Sequence, residues 1–209
     1  MKTNKVNEVL QFQDAQAFEE RLSAILAGEE KEENVLIALM DVDHFMAVND
    51  TYGHETGDDI LIAIGRHLEK GVEGCGDMYR IRGDEFGIIF QGEMEKEDVF
   101  LLMEKLRSTL DVKTPAGDAI TISVGIAAAF EDANRYQELH RKAESAMFRA
   151  KYAGSNKVAL CREEKMVPKT SHYTSDQLKR LNKLSKREGI GEAILLREAL
   201  DILLKRYDV

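Results

Sequence analysis

Six consecutive apolar residues, Val35–Met40 (VLIALM), run straight into Asp41-Val42-Asp43. A run this short, with no polar alternation, suits a strand buried in the middle of a sheet, with carboxylates at its C-terminal end. The rest of the chain must then supply neighbouring strands and cover. Two further short strands, Met78–Ile81 and Phe86–Phe90, flank Arg82-Gly83-Asp84-Glu85, a hairpin signal because Gly83 accepts positive φ. Strands at Ile120–Ala127 and Lys157–Cys161 complete the expected set.

Helical spacing of Phe18, Leu22, Ile25 and Leu26 predicts a helix over Asp14–Ala27, and the charged stretch GEEKEEN after it reads as a turn. Further helices are expected at the short piece HFMAVND and at about 57–70, 95–109 and 134–152. The order α-β-α-α-β-β-α-β-α-β contains the β-α-β-β-α-β kernel of a ferredoxin-like α/β (α+β) domain, expected to carry helices on one face of an antiparallel sheet.

Charge divides the chain. Residues 1–164 carry 19 Lys+Arg against 32 Asp+Glu, whereas residues 165–209 carry 10 against 6, within a formal net charge of −9. The acidic body disfavours non-specific nucleic-acid binding and suits a site where metal holds phosphates. The basic tail points to a second module, so the expected domains are 1–164 and 165–209. In the tail, MVPKTSHYT reads as a strand. Thr174 or Ser175 opens a helix with Leu178, Leu181 and Leu184 on one side and Gly189 as its stop. A second helix over about 191–206 carries Ile194, Leu195, Ala199, Leu200, Leu203 and Leu204. A unit this small cannot bury that surface alone and is expected to dimerise or dock. Cys75 and Cys161 are isolated, no apolar run can span a bilayer, and the N-terminus has no continuous apolar region. A reduced cytoplasmic protein with no membrane partner is the expectation.

Two acidic clusters carry the chemistry: Asp41-Val42-Asp43 at a strand end and Asp84-Glu85 in the hairpin. If the sheet makes them neighbours, four carboxylates converge and need protons or bridging cations. Their hard oxygens suit Mg2+ or Mn2+, completed by substrate phosphates and waters. Two such ions can activate a hydroxyl and neutralise a departing pyrophosphate. Carboxylate-capped turns are the plain alternative.

The stretch Asp41-Val42-Asp43-His44-Phe45-Met46-Ala47-Val48-Asn49-Asp50-Thr51-Tyr52-Gly53-His54, followed by Gly57-Asp58, resembles the first signature of the GGDEF family of diguanylate cyclases. Arg80-Ile81-Arg82-Gly83-Asp84-Glu85-Phe86 resembles the naming motif, with Arg82 in place of its first glycine. Residues 17–22 (AFEERL) and 143–156 (AESAMFRAKYAGSN) resemble the opening and closing helices, so the likeness spans roughly residues 14–161. The resemblance implies a metal-dependent nucleotidyltransferase making a cyclic dinucleotide from two triphosphates on a symmetric homodimer, each 3′-hydroxyl attacking the other's α-phosphate. By the same resemblance Asp41 and Asp84 bind metal together with the Val42 carbonyl, and Glu85 assists at the metal or the attacking hydroxyl. Gly83 keeps the hairpin close to the nucleotide, Asn49 and Asp58 contact a guanine edge, and Lys151 contacts phosphate. Helix termination, first-turn charge and a solvated helix-end lysine are the plain roles of the last three.

The departures matter. Met46 and Ser155 stand where the family usually has a lysine and an arginine, and Arg82 either replaces a lost charge or obstructs the pocket. Glu73-Gly74-Cys75-Gly76 replaces the RxxD inhibitory motif, so feedback through that site is not expected. The DxLTGLxNR-like opening motif is replaced by residues 7–15, and no upstream sensor is expected. These features are similar to those of the minimal CRISPR polymerases, compact palms associated with adenine-containing cyclic nucleotides in antiviral defence, so the substrate stays open between GTP and ATP. The tail, Lys169 to Tyr207, resembles a ribbon-helix-helix module, a type of obligate dimer whose paired strands enter DNA. Pro168, Thr170 and His172, flanked by Lys169, are a poor set of base readers, so dimerisation is favoured over DNA binding through residues 165–209. The competing expectation is a catalytically weakened palm acting as a nucleotide-responsive, DNA-binding regulator.

Overall fold

A strand that is apolar at every position needs cover above and below, and this chain provides both. The computed structural model describes residues 5–28, 34–162, 169–188 and 191–207. The chain falls into two units, 1–163 and 164–209, each taken by itself. In the first, α1 (Lys5–Leu10), β1 (Gln13–Asp14) and α2 (Ala15–Leu26) precede β2 (Val35–Val42). Then come α3 (Phe45–Tyr52), α4 (His54–Val72), β3 (Gly76–Arg82), β4 (Glu85–Gln91), α5 (Lys96–Ser108), β5 (Ile122–Ala128), α6 (Tyr136–Tyr152) and β6 (Val158–Leu160). The sheet order is β1-β3-β4-β2-β5-β6. Its four middle strands are antiparallel neighbours with the ferredoxin-like order, while β1 and β6 add parallel edges.

The expectation of helices on one face is corrected. Leu36, Ala38 and Met40 of β2 pack with residues of α4 and α5, such as Ile64, Leu68 and Met103. The alternate residues Val35, Ile37 and Leu39 pack with Phe18 and Leu22 of α2 and Ala143 and Met147 of α6. Period-two alternation therefore feeds two apolar layers from one strand, which is why its sequence shows no polar face. Both α1 and β1 went unanticipated. Leu10 of α1 fits over Gly65 of α4, where an added Cβ would meet its Cδ1 at 2.5 Å. Residues 29–33 of the GEEKEEN turn lie outside the described residues.

In the second unit, α7 (Ser175–Glu188) and α8 (Glu192–Arg206) pack on one another. Thr174 caps α7: its Oγ1 accepts the Gln177 N–H at 3.2 Å, and the Gln177 Oε1 accepts the Thr174 N–H at 2.9 Å, a reciprocal cap. The expected strand is not formed over 169–174, and its remaining residues 166–168, like the Gly189-Ile190 turn, lie outside the described residues. An isolated ribbon has no backbone partner within one chain; such a strand needs a second one beside it. Leu178, Leu200, Leu203 and Leu204 remain at least 40% exposed. Among the described residues, no helix is long and apolar enough to cross a membrane.

Candidate active site

The ladder between β2 and β4 sets Asp41 opposite Glu85. Met40 and Phe86, their neighbours in sequence, face α4 and α5, so both carboxylates stand on the α2/α6 side of the sheet. The hairpin that delivers Glu85 turns at Gly83, with φ +37°, where a side chain would strain the backbone although space is open. Its geometry is pinned twice. The Asp84 carbonyl accepts the Val42 N–H at 3.3 Å. The Gly83 carbonyl accepts Nη2 of the buried Arg80 at 2.7 Å, while Arg80 Nη1 donates to Asn7 Oδ1 of α1 at 2.6 Å. Val42 itself is buried, leaving only its backbone available.

Two cations answer the acids. Lys151 Nζ donates to Asp41 Oδ1 at 2.5 Å. Arg82 Nε donates to Glu85 Oε2 at 2.7 Å, and its Nη2 reaches Glu144 Oε1 at 3.3 Å. Glu85 is 4% exposed, and its second oxygen, Oε1, is buried without a hydrogen-bond partner. Burial is the largest influence on Asp41 and pushes its carboxyl up to about 6; the Lys151 contact opposes this, and Asp84 and Glu85 add to the rise. Glu144 and Lys151 lie two turns apart on α6, on the stripe that includes Met147. That helix sits close enough because β5 has Gly125 beneath it, where a Cβ would lie 2.0 Å from the Ala143 carbonyl oxygen.

Asp43 does not join the cluster, which corrects the expectation of four converging carboxylates. It is 5% exposed and accepts hydrogen bonds from Thr121 Oγ1 at 2.7 Å, Ser123 Oγ at 2.7 Å and the Asn156 N–H at 2.9 Å. It fastens the strand end to β5 and to the turn before β6. Among the described residues no three acidic, histidine or cysteine side chains gather at metal-binding spacing. Asn49 and Asp58 are carried by α3 and α4, and not by β2 or the β3–β4 hairpin. The Asn49 amide lies over Gly57, where an added Cβ would meet its Oδ1 at 2.0 Å, and that oxygen is buried with no hydrogen-bond partner. Met46 is 75% exposed, and Ser155 follows α6 in a left-handed turn with φ +56°. Sequence reasoning passed over Glu144, although its spacing of seven from Lys151 on a helix was the available signal.

The family model for the diguanylate cyclase GGDEF domain matches residues 10–157. The chain belongs to the GGDEF family. A ribbon-helix-helix model matches residues 166–208. Among curated relatives, the probable diguanylate cyclase DgcC of Escherichia coli is 31% identical over 126 residues, covering 59% of this chain and 34% of that protein. Diguanylate cyclase DosC of Escherichia coli is 34% identical over 128 residues, covering 59% of this chain and 28% of that protein. The chain therefore spans about a third of the length of the curated relatives it matches. The coiled coil and GGDEF domain of DgcB from Caulobacter crescentus, crystallised with c-di-GMP, superposes with a TM-score of 0.65 at 25% identity, over 73% of this chain and 83% of that one. The GGDEF domain of YfiN from Pseudomonas aeruginosa shares the fold, with a TM-score of 0.67 at 24% identity over 74% of this chain and 99% of that one. In this GGDEF domain the naming motif reads Arg-Gly-Asp-Glu-Phe, and the arginine lies on the motif's own glutamate.

Proposed function

We propose that the protein is a nucleotidyltransferase that joins two nucleoside triphosphates into a cyclic dinucleotide with release of pyrophosphate, with c-di-GMP as the product expected from its relatives. The observation that carries this reading is the pairing of Asp41 with Glu85 across β2 and β4, one residue from Asp84, in a GGDEF frame. The donor types suit a divalent ion, which would have to draw the three carboxylates together: hard oxygens only, a buried Glu85 Oε1 with no partner, and an Asp41 whose ionised form is disfavoured by burial. Asp41, Asp84, Glu85 and the Val42 carbonyl would hold Mg2+ or Mn2+. A divalent ion there would ease ionisation of the 3′-hydroxyl and offset charge on the α-phosphate and the departing pyrophosphate.

The remaining roles belong to the chain's own residues. Gly83 lets the hairpin approach the nucleotide without a side chain between them. Asn49, with an unpaired buried oxygen, and Asp58 are the candidate base contacts. Lys151 can pass from Asp41 to a phosphate once another cation neutralises that carboxylate. One palm holds one nucleotide, so the reaction needs two copies face to face. The exposed apolar row on α7 and α8 supports a homodimer through the ribbon-helix-helix unit.

The deciding experiment incubates purified full chain with each NTP and Mg2+ and identifies products by mass. A GTP-derived cyclic dinucleotide is expected; an ATP-derived one moves the chain to the adenine-using relatives. One observation favours a second reading, a weakened palm that senses nucleotide and acts through its tail: Met46 leaves a usual cation position apolar and exposed. Nucleotide binding with no product from any NTP selects that reading.

A further inference from the structure

We infer that Arg82 is a resident counter-cation that occupies Glu85 until a divalent ion displaces it, and that Glu144 is the carboxylate that then receives it. The inference rests on the metal reading above and concerns what this chain does with that site before it is loaded.

Three observations carry it. The Arg82 contacts are unequal: 2.7 Å to Glu85 against 3.3 Å to Glu144, so the guanidinium is shared but leans on Glu85. Glu85 is neutralised on one oxygen only; its Oε1 is buried and unpaired. A buried carboxylate held by a single cation cannot release it cheaply unless another cation arrives, so departure of Arg82 and arrival of metal are coupled. The third observation is that Arg82 is solvent-accessible and has a second carboxylate within reach. Its side chain is 63% exposed, and Glu144, within reach on α6, is 18% exposed and so offers a partly desolvated partner. An arginine keeps its charge at any working pH, so Arg82 does not leave Glu85 by losing a proton.

A glycine at this position would take away the guanidinium that pairs with Glu85. The arginine therefore weakens metal binding, and Glu144 limits that weakening by stabilising the displaced state. Glu144 is thus a positioning residue, acting on the site only through Arg82.

The test is a Mn2+ titration of the full chain without nucleotide, following the EPR signal of free Mn2+. Arg82→Gly should tighten binding on the order of fivefold. Arg82→Gln, which keeps the side-chain bulk and guards against a loosened hairpin, should shift it in the same direction. Glu144→Gln should weaken binding in the parent protein and have little effect in the Arg82→Gly background. Unchanged affinity in both Arg82 variants overturns the proposal while leaving the metal reading intact. An equal Glu144→Gln effect with and without Arg82 removes Glu144 from it, since its own charge would then suffice. No Mn2+ binding by any of the proteins overturns the metal reading and this inference together.

Discussion

Asp43→Ala would leave the Ser123 hydroxyl and the Asn156 N–H, both aimed at one buried carboxylate, without an acceptor. The expected loss is about 2–4 kcal/mol, read as a lower urea midpoint with an unchanged slope. Asp84→Ala should behave oppositely. Its carboxylate sits in a hairpin and closes no part of the apolar core, so the unfolding midpoint should move by no more than about 0.5 kcal/mol in free energy. Product formation from NTP and Mg2+ should fall below detection, and near-normal turnover would remove Asp84 from the site. The acids were legible as acids, but not which of them are already occupied. Alternation does put Asp41 and Asp43 on one face: Ser123, the partner opposite Asp41, donates to Asp43. What separates them is that the oxygens of Asp43 are taken by Thr121, Ser123 and the Asn156 N–H, partners that only the tertiary fold assembles. Glu85 and Arg82 stood out in the motif, whereas their contact with each other required the hairpin geometry.

The seat of α6 on β5 is the element-level feature on which the cations depend. Gly125→Ala places a methyl against the Ala143 carbonyl oxygen and the Met147 N, backbone atoms that cannot rotate away. A loss of about 1–3 kcal/mol is expected, read as a lower melting temperature. Because α6 carries both Lys151 and Glu144, product formation should fall as well, by more than the unfolded fraction accounts for. Most elements were readable: the apolar run of β2, the glycine of the hairpin and the spacing of α2 each state their structure locally. The exception is instructive. The helix α1 is too short to persist alone, and of its three apolar residues it buries Val6 and Leu10. It exists because Gly65 of α4 leaves a seat for Leu10, a partner 55 positions away that no short window of sequence contains. The second helical layer was missed for a related reason, since a fully apolar strand does not say which helices cover which side.

For the whole molecule, removal of residues 165–209 tests what the tail contributes. Leu178, Leu200, Leu203 and Leu204 present more apolar surface than so small a unit covers, and burying each such side chain is worth about 1.5–3 kcal/mol. The truncated palm is expected to sediment as a monomer, with specific activity rising steeply with enzyme concentration, because the tail's contribution is the local concentration of a second palm. A truncated protein that stays dimeric and active at nanomolar concentration would reassign the basic tail to DNA. The hydrogen bonds at the end of β2 have a consequence for the order in which the palm is made. Asp41 meets Lys151 across 110 positions of sequence, and Asp43 meets the Asn156 N–H across 113. A chain leaving the ribosome carries both aspartates long before it carries their partners, and the middle strand waits for β4 and β5 on either side. Every intermediate of synthesis therefore lacks the contacts that close the end of β2, and the candidate site is complete only as the last strand of the palm emerges.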